Sequence, residues 1–242
     1  MGTARAGSGY PDGATGYDIS YPQCAGNVPS GSFGFGIIGL NDGRPMTQNP
    51  CFAAQLAWAR KGQFPPSIYV NTSAPPASYR AGTCAQGDAA CRSYQYGRDA
   101  ARYVLDAGNR LAPDVSRYWL DVETANTWSS DKIANAAMLR GMIEGLSGAG
   151  KVVGIYSTSY QFGLIAGSFA PGLDTWVPRP EARRETAADY CRRTPSFGGG
   201  RLVMLQLWYT YDENYVCPPS AAVPPAPTPL KAGDTAIVAA GG

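Results

Sequence analysis

The chain lacks histidine altogether, which narrows the chemistry available to it. Histidine is the commonest general base near neutral pH and the commonest metal ligand in proteins. None of the six cysteines stands in a C-x-x-C pair, so the sequence offers no zinc site of the usual spacing. We therefore expect no metal and no cofactor, and we expect carboxylates to carry out any catalysis.

Charge is scarce, and long apolar runs are missing. Charged residues make up 16% of the chain, and the net charge is +2 at pH 7. Because there is no basic run and no motif that reads RNA or DNA, we expect no nucleic-acid partner. No apolar run approaches the ~20 residues of a membrane span, and residues 1–16 lack the apolar stretch of a signal peptide. We expect no membrane span and interpret the start as that of a mature or trimmed chain.

The cysteines form an even set, which favours disulfides and hence an oxidising compartment. Buried free thiols in a cytosolic protein are the alternative interpretation. Proximity favours a bond between Cys84 and Cys91, which leaves Cys24–Cys51 and Cys191–Cys217 as the simplest remainder. We expect a protein that is secreted, extracellular or associated with the cell wall.

Short apolar segments alternate with helical patterns along most of the chain, which predicts an α/β fold with a parallel sheet. So many βα units in one chain favour a single-domain, irregular TIM-like (β/α) barrel over an open sheet. An open nucleotide-binding sheet also lacks support, since no G-x-G-x-x-G follows the first strand. The predicted strands are 16–20, 35–40, 67–71, 118–123, 152–157, 173–177 and 202–209.

Composition divides the chain into three parts. Residues 1–15 are rich in small residues and are predicted to be a flexible N-terminal segment. The barrel is predicted over 16–217. From residue 218 onward a Pro/Ala-rich stretch to 242 is typical of a tail or linker; a tail that wraps around the domain is the alternative.

Two carboxylates, Asp121 and Glu123, end the predicted fourth strand. Side chains two residues apart on a strand point to the same face, so we expect these two groups to project together. Asp18 and Asp212 also stand at strand ends, where a (β/α) barrel places its active site. A single such residue often caps a helix or forms a turn, but four like charges at one barrel mouth need a functional reason.

Several motifs resemble those of glycoside hydrolase family 25, the lysozymes that act as N-acetylmuramidases. The segment Gly16-Tyr-Asp-Ile-Ser resembles the family's G-x-D-v-S opening, and Leu120-Asp-Val-Glu its L-D-x-E strand. Further segments, Phe35-Gly-Ile-Ile-Gly-Leu-Asn-Asp-Gly, Val153-Gly-Ile-Tyr-Ser, Thr175-Trp-Val and Gln206-Leu-Trp-Tyr, follow in the family's order. The chain also resembles divergent glycoside-hydrolase-like domains secreted by actinobacteria. The resemblance implies an irregular (β/α) barrel that cleaves the glycan of peptidoglycan.

Residue by residue, the resemblance implies that Glu123 is the general acid and Asp121 its partner, which stabilises the transition state or orients a substrate acetamido group. It further implies that Asp18 is another cleft carboxylate and that Asp212 is the least secure match. One departure is Asn71, where the family's third strand usually has an aromatic residue. Flat aromatic rings at a cleft suit the C–H faces of sugars, although strand aromatics usually pack in the core. The expected substrate-binding set is Tyr69, Asn71, Trp128, Tyr156, Trp176 and Trp208.

Taken together, the sequence predicts a secreted glycoside hydrolase that cleaves bacterial cell-wall glycan by carboxylate acid/base catalysis. The alternatives are a cell-wall glycan-binding domain and a hydrolase of a different actinobacterial wall polysaccharide on the same barrel. In each case the expected partner is a cell-wall polysaccharide and the expected state is a monomer.

Overall fold

A closed barrel of eight strands forms the centre of the computed structural model, which describes residues 9–219. Strands and helices alternate through most of that part, as predicted. The strands are β1 (Thr15–Ile19), β2 (Phe35–Gly39), β3 (Ser67–Asn71), β4 (Arg117–Asp121), β5 (Val152–Tyr156), β6 (Asp174–Pro178), β7 (Leu202–Trp208) and β8 (Asp212–Val216). The helices are α1 (Phe52–Ala59), α2 (Ala89–Leu111), α3 (Lys132–Gly148), α4 (Ser159–Ala166) and α5 (Ala187–Arg193), with short 3-10 turns at Tyr21–Gln23 and Arg184–Thr186.

The eighth strand is the main difference from the sequence prediction, which placed Asp212 after the last strand. Asp212 is instead the first residue of β8, which follows β7 through a tight hairpin and pairs antiparallel with both β7 and β1. The pairings from β1 through to β7 are parallel. The prediction of a parallel sheet is therefore correct for seven strands, and an antiparallel strand closes the barrel.

Side-chain caps set where the helices begin. Asp131 accepts hydrogen bonds from the backbone N–H groups of Ile133 (2.9 Å) and Ala134 (3.1 Å), and α3 therefore starts at Lys132. Asp88 accepts from the N–H of Cys91 at 2.9 Å. Because this cap satisfies an N–H that the first turn leaves unpaired, α2 begins at Ala89, earlier than residue 94, where the helical pattern of the sequence starts.

Apolar side chains fill the barrel interior from the amino ends of the parallel strands up to the floor of the mouth. Phe35, Ile37, Trp119, Trp176 and Met204 belong to this interior cluster, and each is at most 2% exposed. The rings of Trp119 and Trp176 meet edge to face with their centroids 5.8 Å apart. A larger apolar cluster lies outside the strands, between the sheet and the helices. Below the mouth the interior is therefore mainly apolar, with a buried Arg117–Asp174 ion pair at its far end.

The structure describes part of the predicted N-terminal segment and very little of the predicted tail. Tyr10 stacks on Phe35 with the ring centroids 3.9 Å apart, so residues just before β1 contact the barrel. Residues 1–8 of the predicted N-terminal segment, and the predicted tail apart from Pro218 and Pro219, lie outside the described residues. The division into segment, barrel and tail therefore stays a prediction.

All three predicted disulfides are confirmed, and each ties a different part of the barrel. Cys24–Cys51 joins the segment after β1 to the start of α1, and Cys84–Cys91 pins the loop that precedes α2. Cys191–Cys217 joins α5 to the residue that follows β8. Within residues 9–219, none of the helices is long and apolar enough to cross a membrane.

Removing the Cys191–Cys217 bond should destabilise the protein more than removing Cys84–Cys91. The bonded cysteines are 26 residues apart in the first case and 7 in the second. Loop-closure entropy then gives costs of about 3.5 and about 2.4 kcal/mol, and the first pair is also the more deeply buried. Urea unfolding of the two Cys-to-Ala double variants measures this difference, and a larger cost for the Cys84/Cys91 variant would contradict it.

Candidate active site

Strand register brings four predicted site residues into one row across the barrel interior. Asn71 on β3 is paired with Asp121 on β4, Asp121 with Tyr156 on β5, and Tyr156 with Trp176 on β6. Neighbouring strands are about 4.8 Å apart, so each of these side chains lies next to the following one. The row stands near the carboxyl ends of the parallel strands, where barrel enzymes place their chemistry.

A second row faces the first from the other side of the mouth. Asp212 is paired with Asp18 on β1 and with Trp208 on β7. Because β8 runs against its neighbours, its first residue lies at the same end of the barrel as the last residues of the parallel strands. The missed strand therefore places Asp212 beside Asp18.

The two rows enclose a cavity of about 300 Å³. All four predicted carboxylates line it, together with four of the six residues expected to contact substrate. Gln206 and the segment 19–23 complete its wall, and the sequence analysis did not name them as site residues. The predicted site residues in the lining are Asp18, Tyr69, Asn71, Asp121, Glu123, Tyr156, Trp176 and Asp212.

Two predicted tryptophans do not line the cavity. Trp128 packs against the core, and its indole N–H donates to the backbone carbonyl of Glu123 at 2.8 Å. It therefore holds the chain that carries Glu123. Trp208 stands at the end of β7 with 67% of its surface exposed, next to Asp212 but outside the cavity wall.

Asp18 accepts hydrogen bonds from two amide side chains. Gln206 Nε2 donates to both carboxyl oxygens at 3.1 Å, and Asn214 Nδ2 donates to one of them at 2.8 Å. The Tyr156 hydroxyl in turn donates to Gln206 Oε1 at 2.6 Å. Burial, followed by the charge of Asp212, raises the pKa of Asp18 to about 8, although the two amide donors oppose that shift.

Asp121 has one oxygen engaged and one without a protein partner. Asn71 Nδ2 donates to Oδ2, and reciprocal bonds of 2.9 Å with Asn41 fix the backbone of Asn71. Asp121 Oδ1 is buried and has no hydrogen-bond partner in the structure. Burial, followed by the neighbouring charge of Glu123, raises the pKa of Asp121 well above its usual value.

Glu123 is the more exposed member of the Asp121/Glu123 pair. It stands two residues beyond the end of β4, which is shorter than predicted, but the Val122 N–H still donates to the Tyr156 carbonyl at 2.9 Å. The extended path therefore continues, and Glu123 reaches the cavity as its spacing from Asp121 predicts. Burial is the main cause that raises the pKa of Glu123, and the charge of Asp212 adds to it. Burial also raises the pKa of Asp212.

Tyr69 enters the cavity over a glycine. A Cβ at Gly39 would lie 2.9 Å from the Tyr69 ring, closer than two carbon atoms approach without a shift. The absence of a side chain at this position thus leaves room for the ring. Burial, then the charge of Asp18, raises the pKa of Tyr69 well above its usual value, so its hydroxyl keeps its proton.

Gln206 and Asn214 are the functional residues that sequence reasoning missed. A signal for Gln206 is present, because it is the one polar residue within the apolar run of β7 (Leu-Val-Met-Leu-Gln-Leu-Trp). Buried polar groups need partners, so such a residue marks a polar interior. Asn214 carries no comparable signal, since the residues around it in β8 are polar too.

The arrangement combines an acid, further carboxyl groups and ring-bearing walls in one cavity. Four carboxyl groups with raised pKa values retain protons at a pH where free carboxylic acids lose them. Glu123 is partly exposed, so it is the one best able to pass a proton to a bound molecule. Such a site suits proton transfer to a leaving oxygen.

Comparison with known proteins points in one direction. Residues 89–177, from α2 to β6, match the family model described as Lysozyme-like protein 1. The "Probable GH family 25 lysozyme 4" of Dictyostelium discoideum is 39% identical over 76 residues, which are 28% of this chain and 35% of that protein. "Lysozyme-like protein 5" of Caenorhabditis elegans is 31% identical over 124 residues, 46% of this chain and 55% of that protein.

The fold is shared more widely than the sequence. The structure of a family GH25 lysozyme from Aspergillus fumigatus superposes with a TM-score of 0.62 at 14% identity, covering 86% of this chain and 95% of that one. By contrast, the chain spans about a third and about half of the curated relatives it matches. The part matched by the family model, residues 89–177, includes Asp121 and Glu123.

Replacing Asp18 with Asn should flatten the dependence of stability on pH. Folding raises the pKa of Asp18 to about 8, so the folded state binds this proton more tightly than the unfolded chain does. The resulting stabilisation is complete below the unfolded pKa of about 3.9 and is lost as the pH rises through the folded value. Wild type should therefore lose up to about 4 kcal/mol more than the variant between about pH 5 and about pH 8.5.

Chemical denaturation at the two pH values measures this difference. The variant's absolute stability is not the readout, because an Asn amide facing the Gln206 and Asn214 donors shifts stability equally at both pH values. Parallel losses in the two proteins would show that Asp18 does not titrate in this interval.

Proposed function

Because the family model, the curated relatives and the shared barrel support a GH25 lysozyme-like family for this chain, we propose that it is a glycoside hydrolase that cleaves peptidoglycan, the glycan of the bacterial cell wall. The observation that carries the proposal is the convergence of Asp18, Asp121, Glu123 and Asp212 on one cavity. Burying several like charges together costs stability. A cluster of this kind is therefore typical of a functional site.

Glu123 is the general acid in this proposal. It is half-buried, and its raised pKa lets it keep its proton at weakly acidic to neutral pH. Its backbone is held by Trp128, whose indole N–H binds the Glu123 carbonyl. The acid protonates the glycosidic oxygen as the bond to the leaving sugar breaks, and water completes the cleavage.

Asp121 acts beside the acid. Its Oδ2 is held by Asn71, while Oδ1 has no hydrogen-bond partner among residues 9–219 and is left for the substrate. From this position it either stabilises positive charge that develops on the sugar ring or orients the N-acetyl group of the substrate. Both roles need a fixed carboxyl group, which the hydrogen bond from Asn71 provides.

Aromatic rings and the Asp18 network shape the rest of the cavity. Tyr69, Tyr156 and Trp176 line it, and the rings of Tyr156 and Trp176 lie 4.5 Å apart. Such walls suit the apolar faces of a sugar, and the tyrosine hydroxyls remain protonated donors. Asp18 and Asp212 complete the polar side, where they contact substrate hydroxyls, and the charge of Asp212 adds to the burial that raises the pKa of Glu123.

The proposal also covers the location of the protein and the organisation of its domain. Three disulfides in the described residues are compatible with an oxidising, extracellular location. We place the protein outside the cell or at a cell wall, as a monomer whose partner is the wall polysaccharide. The barrel over 16–217 is the catalytic domain, and 218–242 is a tail or linker.

A second candidate is a domain that binds wall glycan without cleaving it, or cleaves a different wall polysaccharide. Asn71 favours it, because this residue stands where the family resemblance implies an aromatic side chain and it binds Asp121 directly. A changed wall next to the reacting sugar alters which sugar fits.

Replacing Glu123 with Gln should lower glycan cleavage by roughly 10²–10⁴-fold, the usual contribution of general acid catalysis. The amide keeps the size of the side chain but has no proton to transfer. Release of reducing ends from purified peptidoglycan measures the rate, and circular dichroism checks the fold. Glu144→Gln is the matched control, since Glu144 lies on the exposed side of α3 and should leave the rate unchanged.

A fully active Glu123→Gln variant would show that another group is the acid. If the wild-type protein binds peptidoglycan but releases no reducing ends from a broad panel of wall glycans, the hydrolase proposal is wrong and the glycan-binding domain takes its place.

The pH profile provides an independent check of the acid. Because the pKa of Glu123 is raised, kcat/KM should stay high beyond the ordinary pKa of glutamate, about 4.3, and should fall on the alkaline side as Glu123 ionises. Asp121→Asn should also reduce kcat strongly, because an amide cannot ionise in response to the positive charge that develops on the sugar in the transition state. If the Glu123→Gln variant keeps the same alkaline fall in its pH profile, that fall belongs to a different group.

A further inference from the structure

A second pocket lies on the outer side of the barrel, behind the hairpin that joins β7 to β8. Its volume is about 410 Å³, within the usual range for small-molecule sites. The residues that carry the argument are Tyr17, Tyr209, Tyr211, Arg184 and Glu213. None of these five residues lines the catalytic cavity.

An ion pair builds one wall of this side pocket. Arg184 donates from Nε and one Nη to the two oxygens of Glu213, at 2.7 and 2.8 Å. The Glu213 side chain is 5% exposed and that of Arg184 is 53% exposed. The buried carboxylate thus fixes the guanidinium with its remaining N–H groups available at the surface.

Tyrosine rings build the other walls. Tyr17 and Tyr211 meet edge to face with centroids 6.4 Å apart. The hydroxyl of Tyr209 accepts a hydrogen bond from the Arg184 backbone N–H at 2.8 Å, and the Arg183 guanidinium lies 5.6 Å from its ring. The rings are therefore held in place rather than free to turn. Rigid tyrosines with an apolar body and a polar tip suit a ligand that has both apolar faces and hydroxyls.

The hairpin connects this pocket to the catalytic cavity. Asp212 lines the cavity, whereas its neighbour Glu213 lines the side pocket, because adjacent residues of a strand point to opposite faces of the sheet. Trp208, at the other end of the hairpin, is 67% exposed and is paired with Asp212. An exposed indole thus stands next to Asp212 at the end of β7, although it lines neither site.

We propose that the side pocket is a second glycan-binding site, which holds a sugar of the same strand some distance from the bond being cleaved, with the strand passing over Trp208. The inference rests on the proposed function for the identity of the ligand. A long glycan strand then binds at two places that are linked through the strand, so affinity rises for long substrates and not for short ones.

The test compares Tyr211→Ala with wild type on a soluble peptidoglycan tetrasaccharide and on long uncrosslinked glycan strands. We expect KM for the long strands to rise roughly two- to tenfold, the range for one aromatic contact, with kcat and the tetrasaccharide kinetics unchanged. Tyr160→Ala is the matched control, because Tyr160 is 73% exposed on α4 and lines neither site. Tyr211→Phe keeps the ring and should restore the wild-type KM.

Equal effects of Tyr211→Ala on short and long substrates, or no effect on either, would overturn the side pocket as a glycan site. Thermal unfolding of each variant separates lost binding from a lost fold; if Tyr211→Ala is unfolded, Tyr209→Phe replaces it, since that change removes only the hydroxyl that binds the Arg184 N–H.

Direct binding distinguishes failure of this inference from failure of the proposed function. Glu123→Gln is titrated with the long strands and with the tetrasaccharide, with and without Tyr211→Ala. If wild type cleaves no glycan but long strands bind Glu123→Gln more tightly than the tetrasaccharide, and Tyr211→Ala removes the difference, the side pocket stands without the hydrolase. If wild type cleaves glycan but strand length does not affect binding, the hydrolase stands without the side pocket.

Discussion

Burial of carboxyl groups at the barrel mouth is the constraint on which the rest of the site depends. Asp18 and Asp121 are 8% and 6% exposed, and an ionised carboxylate so far from water is costly. The fold offsets this cost with amide donors, from Gln206 and Asn214 to Asp18 and from Asn71 to Asp121. Neutral amides can stabilise a carboxylate without cancelling its charge, and for that reason the pKa values remain raised.

That balance between burial and hydrogen bonding explains why, in the part of the chain that the structure describes, neither arginine nor lysine lines the cavity. A cation beside Asp18 would stabilise the folded protein but would pull the pKa values down, and a general acid needs the opposite. Arginine pairs with carboxylates elsewhere, on the outer face in Arg184–Glu213 and at the opposite end of the barrel interior in Arg117–Asp174. The carboxyl groups of the cavity are thus kept apart from cations that would lower their pKa values.

The environment of each strand decides whether the sequence could predict that strand and the site residues on it. Strands buried on both faces, such as β2 and β4, appear as apolar runs, and the i, i+2 spacing of Asp121 and Glu123 could be read directly. Strand β8 could not be predicted from the sequence, because its interior residues Asp212 and Asn214 are polar and its exterior residue Glu213 is charged and ion-paired. No alternation of apolar and polar residues results. Residues 212–216 form a strand because they pair with β7 and with β1, which is far away in the chain.

The tryptophans show a related limit of the sequence, which does not reveal the environment of each aromatic side chain. Sequence placed Trp128, Trp176 and Trp208 in one group, but the fold gives them three environments: a support beneath Glu123, a cavity wall and an exposed rim. What separates them is register, which depends on how the barrel closes. Trp208 stands at the rim because β8 turns back against β7 directly after it. Strand β8, which could not be predicted from the sequence, therefore determines where Asp212 enters the cavity, where Glu213 anchors Arg184, and where the exposed indole of Trp208 stands beside Asp212.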